Sequence, residues 1–246
     1  MIWFIIATLV AGFIKGLCGF ANTLIFNGIL SYTANNINIS PLEVVLGYPS
    51  NIILVWKERK SLNWKIWLPL TALVVAGSIP GIFLLKHTDA GLLKVIFGIA
   101  VIVIGVEMLF REMKSNRESS NRKPGGSKLV LVLIGIISGL LCGLYGVGAL
   151  LAAYVSRVAE NSHEFKANIC VVFVVENTIR IILYVATGIL TLSVLKQVVI
   201  LIPFMLAAVF LGMKSSSVLN EKIIKKIVII LLILSGIVLI INNIPG

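Results

Sequence analysis

The sequence predicts an all-α, polytopic membrane protein built as two inverted repeats. Each repeat is expected to open with a glycine-broken re-entrant or half-helix pair and to continue with three transmembrane helices. Three observations lead there. Hydrophobic residues make up 59% of the 246 positions and charged residues only 13%, with a mean hydropathy of +1.06, which is not the composition of an ordinary soluble domain. The apolar stretches form two sets of four. The segment AGFIKGLCGFAN, with Gly12, Gly16 and Gly19, returns 127 residues later as SGLLCGLYGVGA, with Gly139, Gly143 and Gly146.

The first stretch, 2–32, has no basic leader and no cleavage-like exit, so it reads as a retained segment rather than a removable signal peptide. As one straight helix it would be roughly 46 Å long, against a hydrocarbon core of about 30 Å. Two half-helices of about 10 to 13 residues, broken at the glycines, fit better. Stretch 41–56 carries Tyr48, Pro49, Ser50 and Asn51; stretch 64–85 carries Gly77-x-x-x-Gly81 with Pro80, a spacing suited to close helix contact; stretch 91–110 completes a first repeat over 1–111. The polar, basic linker 112–128 reads as a solvated connector. The second repeat, 129–246, follows with stretches 129–156, 166–188, 192–213 and 223–243, the third of them carrying Ala208-x-x-x-Gly212. Trp3, Trp56, Trp64 and Trp67 fall at stretch ends, as interfacial anchors do.

Charge selects the topology. If all eight stretches cross, Lys and Arg divide eleven to eight between the two sides; if 2–32 and 129–156 return to the side they entered from, the division is sixteen to three. The positive-inside rule favours the second arrangement. Both termini then lie outside, the linker is cytoplasmic, and the two halves are inverted. The net charge of +11 is explained by these loops and their anionic headgroups rather than by nucleic acid.

The inverted arrangement brings the tips, Lys15 to Asn22 and Leu141 to Gly148, together near the midplane. Free backbone N–H groups at the helix restarts would favour an anion there. Gly12 and Gly139 read as packing residues, whereas Gly16, Gly19, Gly143, Gly146 and Gly148 read as a broken helix lining the solute path, with Tyr145 among them. Lys15 either attracts the anion, snorkels, or pairs with a carboxylate such as Glu176. Ser50, Asn51, Asn177 and Thr178, matched across the repeats, offer neutral donors. Glu176 and Arg180 share a helix face and read either as a structural ion pair or as a proton carrier beside a second anion ligand. Cys18 and Cys142 lie in the tips and either touch a sulfur compound or fill space. Glu43 and Glu107 lie nearer stretch ends and read as interfacial, and no His/Cys/Asp cluster has metal-ligand spacing.

At the two glycine segments the chain resembles the sulfite exporter TauE/SafE family of membrane permeases. The resemblance continues through SLNWK at Ser61 to Lys65, the Pro69 and Gly77/Gly81 helix, GLYGVGALL, FKANICVVF and TGILT, and so covers nearly the whole chain. It implies movement of sulfite, thiosulfate, sulfoacetate or a similar small anion across the cytoplasmic membrane. Phe20-Ala21-Asn22 and Lys15 depart from the family's commoner pattern.

The expected activity is therefore a secondary permease for a small anion, working by alternating access, with a coupling proton or sodium and no cofactor, metal or nucleic acid. No phosphate-binding loop is visible to suggest direct ATP drive. A passive anion channel is the first alternative. An intramembrane thiol enzyme is a distant one, because neither histidine lies near the tips to serve as its base.

Overall fold

The computed structural model describes residues 1–30, 36–85, 128–145 and 148–241, together with 95, 98–99, 102–103, 105–106 and 109–110. Residues 112–127 of the linker expected over 112–128, Gly146, Glu107 and His87 lie outside the described residues, as does the side chain of Tyr145. Among the described residues the regular structure is entirely helical.

The first apolar stretch becomes α1 (Ile2–Cys18) and α2 (Asn22–Leu30). Helix α3 (Asn36–Glu58) follows, then a short 3-10 turn (Arg59–Ser61) and α4 (Trp64–Leu85). The described residues between 95 and 110 are also helical. The second half repeats the order with α5 (Lys128–Tyr145), α6 (Ala149–Val158), α7 (Ser162–Ala186), α8 (Leu192–Val218) and α9 (Glu221–Ile241). Four spans have the length and composition to cross a bilayer: Ile39–Ser61, Trp64–Phe83, Ser162–Ala186 and Leu192–Val218. Large apolar side chains such as Ile182, Val199, Phe210 and Leu211 stand exposed on them, as lipid-facing residues do. This is a multi-pass membrane protein.

The break in the first stretch is narrower and later than its glycines suggest. Helix α1 continues through Gly12 and Gly16 and stops at Gly19, whose φ of +86° ends the helix while its N–H donates to the Lys15 carbonyl at 2.7 Å. Ala21, also left-handed at φ 71°, completes the reversal before α2. The two pieces are 17 and 9 residues long, not two halves of equal reach. The second stretch also divides into two helices, an α5 of 18 residues and an α6 of 10, with Gly148 at the N-cap of α6.

Gly16 and Gly143 therefore do not form the breaks; both are packing residues. Added Cβ atoms there would strike the backbone of a neighbouring helix: Val209 and Gly212 of α8 for Gly16, Ser78 and Ile82 of α4 for Gly143. Gly12 meets Met205 and Ala208, and Gly139 meets Val74 and Gly77. Two close seams result, α1 on α8 and α4 on α5, in which small residues let backbones touch where lipid offers no hydrophobic drive. Helices α3 and α7 pack together between them. Prolines 41, 49, 69, 80 and 203 all lie inside helices, which membrane helices tolerate when neighbours satisfy the freed carbonyls.

Candidate functional site

The first break holds a buried chain of three polar side chains. Lys15, on the last turn of α1, is 1% exposed. Its Nζ donates to Asn22 Oδ1 at 3.1 Å, and Asn22 Nδ2 donates to Glu43 Oε1 on α3. The reversal at Gly19 to Ala21 makes this possible, because it folds the first residue of α2 back over the last turn of α1. Gly47, one turn beyond Glu43, leaves room for both Asn22 and the carboxylate. Glu43 is only 5% exposed. It is a core residue rather than an interfacial one, and it takes the place expected for Glu176 as the carboxylate serving Lys15.

The same lysine reaches toward the second break. Its Nζ lies 5.1 Å from the centroid of the Phe173 ring on α7. The edge of that ring fills the space that the missing side chain of Gly148 leaves at the start of α6. One aromatic ring thus joins Lys15 at one break to the helix restart at the other. Cys170, one turn before Phe173, donates its thiol to the Gly19 carbonyl at 3.3 Å.

A second buried group lies on α7 and α3. Arg180 donates through Nε to the Tyr184 hydroxyl at 2.9 Å and through Nη2 to Ser40 Oγ at 2.6 Å; the two hydroxyls are 3.2 Å apart. Two of its five N–H donors go to this triangle, and it forms no ion pair with Glu176. The expected structural pair is absent because Ser40 and Tyr184 hold the guanidinium along the other direction. Glu176 Oε1 is buried without a hydrogen-bond partner, and so is Asn51 Oδ1.

The matched neutral donors differ in availability. Ser50 donates to the Gly47 carbonyl at 2.5 Å, and Thr178 donates to the Val174 carbonyl at 2.7 Å while meeting the Tyr48 hydroxyl at 2.8 Å. Each has its hydroxyl proton committed inside its own helix. Asn177 is half-buried. Cys18 and Cys142 are buried and not in a disulfide, and among the described residues no group of His, Cys, Asp and Glu could hold a metal ion.

At the other end of α7 a polar knot explains the SLNWK segment. The Asn63 N–H donates to Asn168 Oδ1 at 3.0 Å and Asn63 Nδ2 donates to Glu164 Oε1 at 2.9 Å. Glu164 Oε2 accepts from the Glu160 N–H at 2.6 Å, and Asn161 caps α7 through the Glu164 N–H at 2.9 Å. Beside it His163 Nδ1 lies 2.8 Å from Glu58 Oε2.

Residues 4–239 match the profile of a family described as Sulfite exporter TauE/SafE. The chain belongs to this family. The match takes in both breaks, both helix seams and every member of the buried polar groups above. A TauE/SafE chain is a membrane permease, so the groups just described lie in a transport protein. No curated protein and no solved structure matched the chain.

Sequence reasoning missed Glu43, Ser40, Phe173, Cys170 and Tyr184. A signal for two of them exists in the 127-residue displacement, which sets Cys142 opposite Lys15 and Cys170 opposite Glu43. Where one half of the chain carries a pair of opposite charges, the other carries a pair of thiols.

Proposed function

We propose that this TauE/SafE permease is a secondary transporter for a small anion, a sulfur-containing one such as sulfite, thiosulfate or an organosulfonate. The observation that carries the reading is the convergence of Lys15, Phe173 and Gly148: a buried ammonium lies beside the two places where membrane helices break. Asn22 takes one of its N–H donors and leaves the others for a solute. The N-cap of α6 at Gly148 has no side-chain acceptor, so its N–H groups are a second source of donors. The binding residues we assign are Lys15, Gly19, Asn22, Cys18, Asn51, Cys142, Tyr145, Gly146, Gly148, Asn177 and Arg180. Ser50, Thr178, Gly16 and Gly143 support them through packing or committed hydrogen bonds. Glu176, whose buried Oε1 has no hydrogen-bond partner, is one candidate carrier of a coupling proton.

The same reading includes two inverted repeats, 1–111 and 129–246, around a cytoplasmic linker at 112–128, in the plasma membrane, with alternating access by movement of one repeat against the other. Reciprocal contacts support it. Gly12 on Met205 and Ala208 is answered by Gly139 on Val74 and Gly77, and Gly16 on Val209 and Gly212 by Gly143 on Ser78 and Gly81. Gly98 meets Ile240 just as Gly236 meets Ile102. A two-fold relation produces pairs of this kind.

Uptake of labelled sulfite, thiosulfate, sulfoacetate and acetate into proteoliposomes, each with and without a pH gradient, tests the reading. Selective flux that follows the pH gradient supports it. Flux that saturates for none of them and follows only the solute gradient identifies the passive channel instead. Absence of flux for every sulfur anion, in folded protein, removes the substrate class.

A further inference from the structure

We propose that Glu43 is the resident counter-anion of Lys15 and takes up a proton when a solute anion replaces it as that lysine's partner. The inference rests on the anion-transport reading above and deepens it at the same site.

Among the described residues, helices α1, α3 and α7 hold seven buried charge-bearing side chains: Lys15, Lys166 and Arg180 against Glu43, Glu58, Glu164 and Glu176. The acids already outnumber the bases. A solute anion entering this set leaves it with uncompensated negative charge in a region where such charge is expensive, so entry requires a cation or a proton. The hydrogen bonds identify where the proton goes. Glu43 is joined to Lys15 through one amide, whose oxygen accepts from the ammonium and whose nitrogen donates to the carboxylate. A solute that draws the ammonium away from Asn22 removes the charge that the Glu43 carboxylate answers. Glu176 loses nothing in that step, since it shares no hydrogen bond with Lys15 or Arg180.

The groups around Glu43 are Lys15 on α1, Asn22 and Thr23 on α2, Arg180 and Glu176 on α7, and Cys142 on α5. Arg180 keeps its charge and its Ser40 and Tyr184 partners throughout. Protonation therefore turns the Glu43 carboxylate into a neutral acid, with one proton taken from solvent for each anion that replaces it at Lys15. The thiols at the corresponding positions of the second repeat, Cys142 and Cys170, provide no such exchange, so the coupling is confined to one half of the molecule.

The test is thiosulfate binding to the purified full-length protein, from mildly acidic to mildly alkaline pH, because thiosulfate does not itself titrate in that range. The wild-type affinity is expected to fall by about tenfold per pH unit toward the alkaline end, as linkage of one proton to one anion requires. Glu43→Gln is expected to bind more tightly than wild type at alkaline pH and to change less than about twofold across the range. A flat wild-type profile overturns the proposal, and so does a slope that survives in Glu43→Gln or vanishes in Glu176→Gln alone. Should Glu43→Gln not fold, infrared difference spectra of the wild type decide. Thiosulfate should produce a new protonated-carboxyl band that Glu176→Gln retains; no band, or its loss in Glu176→Gln, refutes the assignment. Absence of thiosulfate binding at every pH refutes the transport reading itself, and the inference falls with it.

Discussion

Gly19 is constrained twice. Its φ of +86° lies where a Cβ clashes with its own backbone, and an added Cβ would also stand 3.0 Å from Lys166 Cγ. Gly188, at φ +71° in the turn between α7 and α8, has the same backbone requirement but nothing within 4 Å. Substitution to Ala separates the two effects. Gly188→Ala is expected to cost about 1 kcal/mol, the left-handed penalty alone. Gly19→Ala should cost more, and it should also reduce flux, because the turn it holds sets Asn22 over Lys15. Thermal unfolding of both variants beside proteoliposome uptake checks the pair; equal destabilisation would show that the Lys166 stem yields freely. The sequence made Gly19 legible as a break residue and Lys15 as a buried cation. It did not reveal the lysine's partner, because Glu43 lies 28 positions away on another helix and periodicity carries no information about which faces meet.

At the scale of elements, the two seams depend on backbone touching backbone. Gly16→Val and Gly143→Val each drive a branched side chain against a neighbouring carbonyl, that of Val209 or Ser78, which cannot rotate away. Overpacking of that kind costs about 1–3 kcal/mol or more, so both variants should show a similar fall in folded yield, read by size-exclusion profile and melting temperature. Gly12→Ala should be milder, since its Cβ would stand 2.9 Å from Ala208 Cβ and 3.0 Å from the Met205 carbonyl, whereas carbonyls lie at 2.2 Å and 2.3 Å for Gly16 and Gly143. A mild Gly143→Val beside a severe Gly16→Val would argue against equivalence of the seams. The knot at the start of α7 gives a third case. Asn168→Ala leaves the Asn63 N–H without its acceptor and removes a donor from the Glu164 carbonyl, at an expected cost of about 1–3 kcal/mol. Protease accessibility of the 59–63 segment should rise with it. The motif Ser61 to Lys65 was visible in the sequence, but its purpose was not, because its acceptors come from residues about 100 positions later.

For the whole molecule, the division of basic residues and the paired glycine contacts support the inverted arrangement proposed above. Reporter fusions after Gly246 should report the outside, and fusions within 112–128 the cytoplasm; the reverse pattern, or opposite sides for the two termini, would refute the inverted arrangement. The sixteen-to-three division of basic residues depends on α1 with α2, and α5 with α6, each returning to the side it entered from. The helix bounds bear on this expectation. Helix α1 has 17 residues and α2 has 9, about 25 Å and 14 Å at 1.5 Å per residue. The two pieces of the first broken stretch therefore differ in length.

The sequence by itself determined the membrane class, the helical architecture, the duplicated glycine segments and the family, because hydropathy, helix-breaking residues and motif spacing are local properties of the chain. Only the tertiary structure decided which glycines break and which pack. It also decided that Lys15 answers to Glu43 through Asn22, that Arg180 turns to Ser40 and Tyr184, and that Phe173 spans the two breaks. These are meetings between distant segments, and their outcome depends on which faces of α1, α3 and α7 come together once Gly19 and Ala21 have reversed the chain. A glycine in a straight helix and a glycine at a reversal look alike in sequence. They are told apart by the backbone angle they adopt and the neighbour that lies against them.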